Sequence, residues 1–175
     1  IGDSLFVFTD RFDVWAVNPA KPAKPRYLTK GEGRKNNIVY SVDRSGFTFD
    51  NNLESDLQKD SWLLTSFNET DKNEGFVSLN WKTGEMKTMV EPAGYSYGTT
   101  RKSKDADVYI FTKGNFAEYP ELYVTNTNFE QPKKLTNTNP QQADFNWGTA
   151  ELYTWKSATG ESLQGLLYKP EDFDA

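Results

Sequence analysis

Val108-Tyr109-Ile110-Phe111-Thr112, then Leu122-Tyr123-Val124-Thr125-Asn126, then Gln131-Pro132-Lys133-Lys134-Leu135-Thr136 fill much of the stretch from 108 to 136. The first two segments are short runs of β-branched, aromatic and aliphatic residues, the composition of strands buried on both faces. The third starts near a proline and closes on Leu-Thr. The same three-part order stands near the beginning of the chain: Leu5-Phe6-Val7-Phe8-Thr9, Val14-Trp15-Ala16-Val17-Asn18, and Lys24-Pro25-Arg26-Tyr27-Leu28-Thr29. A more diverged copy lies between them, as Trp62-Leu63-Leu64-Thr65, Gly75-Phe76-Val77-Ser78-Leu79-Asn80 and Met86-Lys87-Thr88-Met89-Val90.

Strand triplets that recur every 40–50 residues or roughly so describe propeller blades, each a small antiparallel sheet. Leu28, Met89 and Leu135 anchor the third strands. The longer first interval holds an insert around Leu53 to Asp60, where Leu53 and Leu57 stand one helical turn apart and predict the chain's one helix. Fourth strands are expected from the segments between copies, Ile38–Val42 and Tyr95–Thr99. A β-sandwich also alternates strands and turns. The repeated order, closed twice by Pro-x-x-Leu-Thr, favours blades. The expected fold is all-β: a partial β-propeller of about three blades, followed by a terminal β-hairpin.

Composition narrows the chemistry. The chain has 25 acidic against 20 basic residues, which argues against a nucleic-acid partner. It contains no cysteine and no histidine. Without histidine there is no Ser-His-Asp site within these 175 residues. No catalytic, cofactor-binding or metal-binding residue is assigned, and no cofactor is expected. No apolar run approaches the ~20 residues of a membrane-spanning helix.

Several motifs invite a function. Gly94-Tyr95-Ser96-Tyr97-Gly98 fits the Gly-x-Ser-x-Gly nucleophile elbow, which needs a strand before it and a helix after it. Glu91-Pro92-Ala93 precedes it and the polar run Thr99–Asp105 follows, so a bend or strand opening the next blade is the better reading of Ser96. Gly31-Glu32-Gly33-Arg34-Lys35 resembles a phosphate loop, but Asn36-Asn37 stands where Ser or Thr and a helix belong. A turn between blades is expected there.

Asn68-Glu69-Thr70-Asp71-Lys72-Asn73-Glu74-Gly75 is rich in oxygen ligands, yet lacks the EF-hand glycine and glutamate positions counted from Asp71. A polar hairpin loop is expected. Asn68-Glu69-Thr70 is also a glycosylation sequon. Asp10, Arg11 and Asp13 read as a loop with a local ion pair. Among five tryptophans, Trp15, Trp62 and Trp155 are expected in the core. Trp81, before the Lys82-Thr83-Gly84-Glu85 turn, is expected exposed, which keeps a glycan-binding module open as an alternative.

The last stretch is Trp147-Gly148-Thr149-Ala150-Glu151-Leu152-Tyr153-Thr154-Trp155-Lys156, a turn at Thr159-Gly160, and Ser162-Leu163-Gln164-Gly165-Leu166-Leu167-Tyr168-Lys169-Pro170. An apolar strand, a Ser/Thr-x-x-Gly turn and a Leu-x-Gly-x-Leu-Tyr-x-Pro strand in this order resemble the passage from propeller to α/β-hydrolase in the prolyl oligopeptidase family of serine peptidases. Asp10–Val17, the Leu28-Thr29 and Leu135-Thr136 blade ends, Asp105–Tyr109, and Asn139-Pro140-Gln141-Gln142 before Trp147-Gly148 are similar to that family's late blades. The resemblance implies residues 1–146 as propeller blades and 147–175 as a linking hairpin.

It also implies partners: an α/β-hydrolase domain of the same parent chain, and peptide substrates filtered by the propeller. The family's catalytic residues would lie in that other domain, so this chain by itself is expected to lack peptidase activity. The paired glutamates that bind the substrate amino terminus in the dipeptidyl-peptidase branch have no adjacent Glu-Glu counterpart here. The resemblance further implies a periplasmic or exported parent. Bare blade faces and strand edges add an expectation of self-association into a homo-oligomer.

Overall fold

The computed structural model describes residues 5–20, 24–43, 60–103 and 105–174. Three small antiparallel sheets and one hairpin account for nearly all of its regular structure. The first sheet holds β1 (Phe6–Thr9), β2 (Val14–Val17) and β3 (Arg26–Tyr27) in the order β1-β2-β3. A short helix, α1 (Glu32–Asn36), leads to the second sheet, a four-stranded meander. Its strands are β4 (Ile38–Val42), β5 (Ser61–Asn68), β6 (Glu74–Asn80) and β7 (Glu85–Val90).

The third sheet repeats the meander with β8 (Ser96–Lys102), β9 (Tyr109–Gly114), β10 (Glu121–Thr125) and β11 (Lys133–Lys134). A 3-10 helix, Pro140–Asp144, then precedes the hairpin of β12 (Thr149–Lys156) and β13 (Ser162–Lys169). The fold is all-β, a partial propeller plus hairpin, as the repeats predict. The segments 38–42 and 95–99 supply the fourth strands, with β8 running three residues further than expected. The predicted helix at Leu53–Asp60 falls almost wholly outside the described residues.

Alternation within each strand sorts side chains to the two faces of a sheet. On one face of the first sheet, Val14, Ala16 and Leu28 pack against Tyr40, Trp62, Leu64 and Leu79 of the second. On the far side of the second sheet, Phe76 meets Phe111 and Phe129 of the third, with Leu63, Met89 and Tyr97 around them. Phe76 and Phe111 meet edge to face at 6.1 Å, a favoured aromatic geometry. The three sheets therefore stack as consecutive blades, with two apolar interfaces between them.

The Leu-Thr blade ends have a specific task. In the first blade Thr29 accepts the Val14 N–H at 3.1 Å and donates its hydroxyl to Asp13 at 2.6 Å. In the third blade Thr136 accepts the Leu122 N–H at 2.9 Å and donates to Glu121 at 2.5 Å. Leu28 and Leu135 repeat each other too, bonding the carbonyls of Val14 and Leu122.

Each carboxylate then reaches beyond its own sheet. Asp13, fully buried, also accepts from the Tyr27 hydroxyl and from the N–H groups of Gly33 and Arg34 at the head of α1. Glu121 accepts from Lys134 and from the Thr138 N–H in the following connector. The second blade carries Gly75 at this position. Its neighbour Glu74 takes over, accepting the Tyr97 N–H at 2.9 Å and thereby bonding the start of β8.

Two sequence expectations need correction here. Asp13 is a buried hub rather than part of an exposed ionic loop. Its charge is balanced by four donors, which a buried carboxylate requires. Residues 32–36 form a helix rather than a turn, framed by left-handed Gly31 (φ 82) and Asn37 (φ 57). The acceptor that makes so short a helix viable is Asp13, 20 residues upstream of Gly33 in the chain.

Candidate functional site

In each meander the second-to-third strand loop and the exit of the fourth strand fall at the same end of the blade. That end gathers Asp10–Asp13, α1, Glu69–Asn73, Gly94–Tyr95 and Asn115–Pro120. The hairpin lies against it. Gln164 of β13 donates to the Thr70 carbonyl at 2.9 Å, in the second blade's loop. Trp147 Nε1 donates to the Phe116 carbonyl at 2.5 Å, in the third blade's loop. The Phe116 ring also packs on Trp147 and, at 5.0 Å, on Tyr168.

Two ion pairs stand at this end. Arg11 pairs with Glu69 at 2.9 Å, bridging the first and second blades, and Arg34 pairs with Asp10 at 2.8 Å. Burial works against the Asp10 anion. The N–H groups of Asp13 and Phe12, the Trp15 indole and Arg34 outweigh it and hold the carboxyl down at about 2. Arg34, bonded to Asp10, is pushed up in turn.

A second group surrounds the start of β8, where it meets the second blade. The Tyr95 hydroxyl donates to Glu118 Oε1 at 2.7 Å, and Lys113 Nζ stands 3.8 Å from the centre of the Tyr95 ring. That is close cation–π range. The Glu118 hydrogen bond, together with some burial, pushes the Tyr95 phenol up to about 12. Beside it Ser96 donates to Glu74 Oε1 at 3.2 Å, and the Gly94 N–H donates to Asn73 Oδ1 at 2.9 Å.

This places the sequence candidates. Ser96 is the first residue of β8, and a strand rather than a helix follows it. Its hydroxyl is spent on Glu74. The 68–75 loop is a polar hairpin: Asn68 Oδ1 accepts the Thr70 N–H, Asp71 Oδ1 accepts the Asn73 N–H, and Lys72 bonds the Glu69 carbonyl. Among the described residues, no cluster of three or more His, Cys, Asp or Glu could hold a metal ion.

Trp62 is buried, and Trp15 lies between Phe8 and Tyr27 in a stacked row. Two tryptophans reverse their expected places. Trp81 is half-buried, stacked on Trp62 at 5.7 Å with Arg26 over its ring. Trp155 is 41% exposed, lying over Gly165 of the hairpin. The sequence did not single out Lys113 or Glu118, and it read Glu74 only as part of a polar hairpin loop. Lys113 meets Tyr95 because β8 and β9 pair with Tyr97 opposite Lys113, and Glu74 meets Ser96 across two blades, 22 residues away in the chain; no local spacing announces either.

The site gathers carboxylates, an ammonium and a phenol around one end of the blade stack. No helix among the described residues is long and apolar enough to cross a membrane.

No protein-family model matches the chain, and no curated protein matches it in sequence. Solved structures do. The AtxE2 isopeptidase, in a variant with an astexin bound, superposes with a TM-score of 0.59 at 12% identity. That match covers 97% of this chain and 24% of the isopeptidase. A structure from a study of two prolyl endopeptidases superposes with a TM-score of 0.64 at 15% identity, covering 97% of this chain and 25% of the other. The chain thus spans about a quarter of the length of these peptidases. Its three blades and hairpin share the fold of that quarter.

Proposed function

We propose that this chain is propeller-side structure of a serine peptidase of the prolyl oligopeptidase type, acting as a filter above a hydrolase active site. The observation that carries this reading is the hairpin seated on the loop end of the second and third blades, in a chain whose whole length follows a quarter of two known peptidases. The hairpin would bring the hydrolase to that same end. Peptides reaching it would pass the Tyr95, Lys113 and Glu118 group. Strands β4 and β8, which open the two four-stranded blades, would line the passage; the Thr100 hydroxyl of β8 donates to the carboxylate of Asp43, the residue that follows β4.

Nothing in this role requires chemistry from the chain itself. A filter needs rigid walls, which the carboxylate hooks and two aromatic-rich interfaces supply. It also needs an opening too narrow for a folded protein.

The test uses the whole reading frame that contains these residues. Expressed intact, its product should be labelled by a fluorophosphonate and should cleave short prolyl peptides while sparing folded proteins. Substituting Tyr95 and Lys113 by alanine should change KM for charged peptides more than kcat. A product that neither reacts with the probe nor cleaves peptides would sink the proposal. The 175-residue chain by itself should cleave nothing, and Ser96→Ala should leave that unchanged.

A further inference from the structure

Lys82, Lys113 and Lys169 each hold their ammonium near an aromatic ring, and one of them differs from the others. Lys82 Nζ lies 5.7 Å from the centre of the Trp81 ring and Lys169 Nζ 5.9 Å from that of Phe173, and each also pairs with a carboxylate, Asp60 and Glu151. Lys113 lies nearest its ring, 3.8 Å from the centre of Tyr95, with Tyr123 at 5.8 Å. Its ammonium bonds no carboxylate and no other acceptor among the described residues. Lys24, Lys30, Lys87, Lys133 and Lys156 share that lack, but all are exposed, whereas Lys113 is half-buried.

The surroundings fix this cation without neutralising it. Lys113 stands two residues after Phe111 on β9, so the two share a sheet face, the one that packs on the second blade. The Tyr95 hydroxyl donates to Glu118 at 2.7 Å, which holds the ring from its edge and enriches the face that attracts the ammonium. Glu118 is spent on that phenol and forms no ion pair with Lys113. The other acid nearby, Glu74, accepts from the Ser96 hydroxyl and the Tyr97 N–H. An ammonium carries three N–H donors, and one that is partly withdrawn from water needs an acceptor for them.

We infer that Lys113 is a specificity-determining residue that binds a carboxylate of the peptide passing this end of the blades. The identity of the ligand rests on the peptidase reading. At neutral pH a carboxylate is the only anion an unmodified peptide carries, on an Asp or Glu side chain or at a free carboxy terminus. Because the rings already hold the lysine, little side-chain freedom is lost when the carboxylate arrives.

The test takes the product of the whole reading frame, treated with the fluorophosphonate so that it cleaves nothing, and measures peptide binding by calorimetry. Two pairs are compared: amide-capped prolyl peptides that differ as Glu against Gln, and a Gln peptide ending in a free acid against its amide. One pair should show a preference of about tenfold for the carboxylate, the scale of a hydrogen bond to a charged group. Lys113→Gln should bring that ratio close to one, Lys113→Arg should keep most of it, and added salt should weaken it. The pair that responds identifies the carboxylate as side-chain or terminal.

If neither ratio responds to Lys113→Gln, the inference is overturned. It is overturned too if the substitution lowers the unfolding midpoint and leaves both ratios alone, which would mean that an acid of an adjoining domain takes the ammonium. Should Lys113→Gln misfold, Lys113→Met, which keeps an apolar stem over Tyr95, replaces it. A product that takes no label sinks the peptidase reading by itself, because both ratios are measured whether or not label is bound.

Discussion

Asp13 and Glu121 are two residues of the same acid function, at the same blade position, in different surroundings. Asp13 is buried with Thr29, and removing its side chain strands the Thr29 and Tyr27 hydroxyls and two N–H groups. Asp13→Ala should cost about 3 kcal/mol or more, read by urea unfolding. Glu121 is held down at about 2 by the Thr136 hydroxyl foremost, against some burial, with Lys134 and Thr138 adding to it. A carboxyl whose folded value lies below its ordinary 4.5 stabilises the fold above that value, and the contribution disappears as pH falls toward 2. Glu121→Gln should therefore flatten the stability profile between about pH 5 and 2. An unchanged acid limb in denaturant titrations would contradict this. Tyr95 gives a spectroscopic check: Glu118→Gln should bring its phenol down from about 12 toward its ordinary 10 in an ultraviolet titration. The Leu-Thr pairs were legible in the sequence because both copies spell them alike. Their acid partners were not, because one copy uses Asp, one Glu and one shifts to Glu74.

At the scale of elements, the strands were readable because short β-branched and aromatic runs leave few alternatives. Helix α1 was not, since its five residues include Gly33 and no apolar stripe. Gly33 is required by approach rather than by dihedral angle: an added Cβ would stand 2.5 Å from the Phe12 carbonyl oxygen and 2.7 Å from that of Ile38. Gly33→Ala should cost about 1–3 kcal/mol and weaken the Asp13 bonds to the helix, visible as faster amide exchange at Gly33 and Arg34. The hairpin was legible in both strands and in the turn, where Gly160 takes φ 85. Its seating was not, because Gln164 and Thr70 are 94 residues apart. Phe116→Ala should loosen that seat while leaving the blades intact. The test is limited proteolysis, which should then cut faster within residues 137–148 and not elsewhere.

For the molecule as a whole, the hooks determine what counts as a unit. Each carboxylate bonds both its own blade and the connector that follows: Asp13 takes Thr29 and Tyr27 on one side and Gly33 and Arg34 on the other, and Glu121 takes Thr136 and Lys134 on one side and Thr138, before the hairpin, on the other. The separable module is thus a sheet plus its downstream connector, not the sheet alone. A blade-swapped chimera joined directly after Thr29 would part a hook from its target. One joined after Asn37 would keep the two together. The second junction should preserve the unfolding midpoint, and the first should lower it by several degrees. Loss of order should also have a direction, since release of one connector frees the blade that follows it before the blade that precedes it. The chain thus behaves as a row of latches, each closed by the element before.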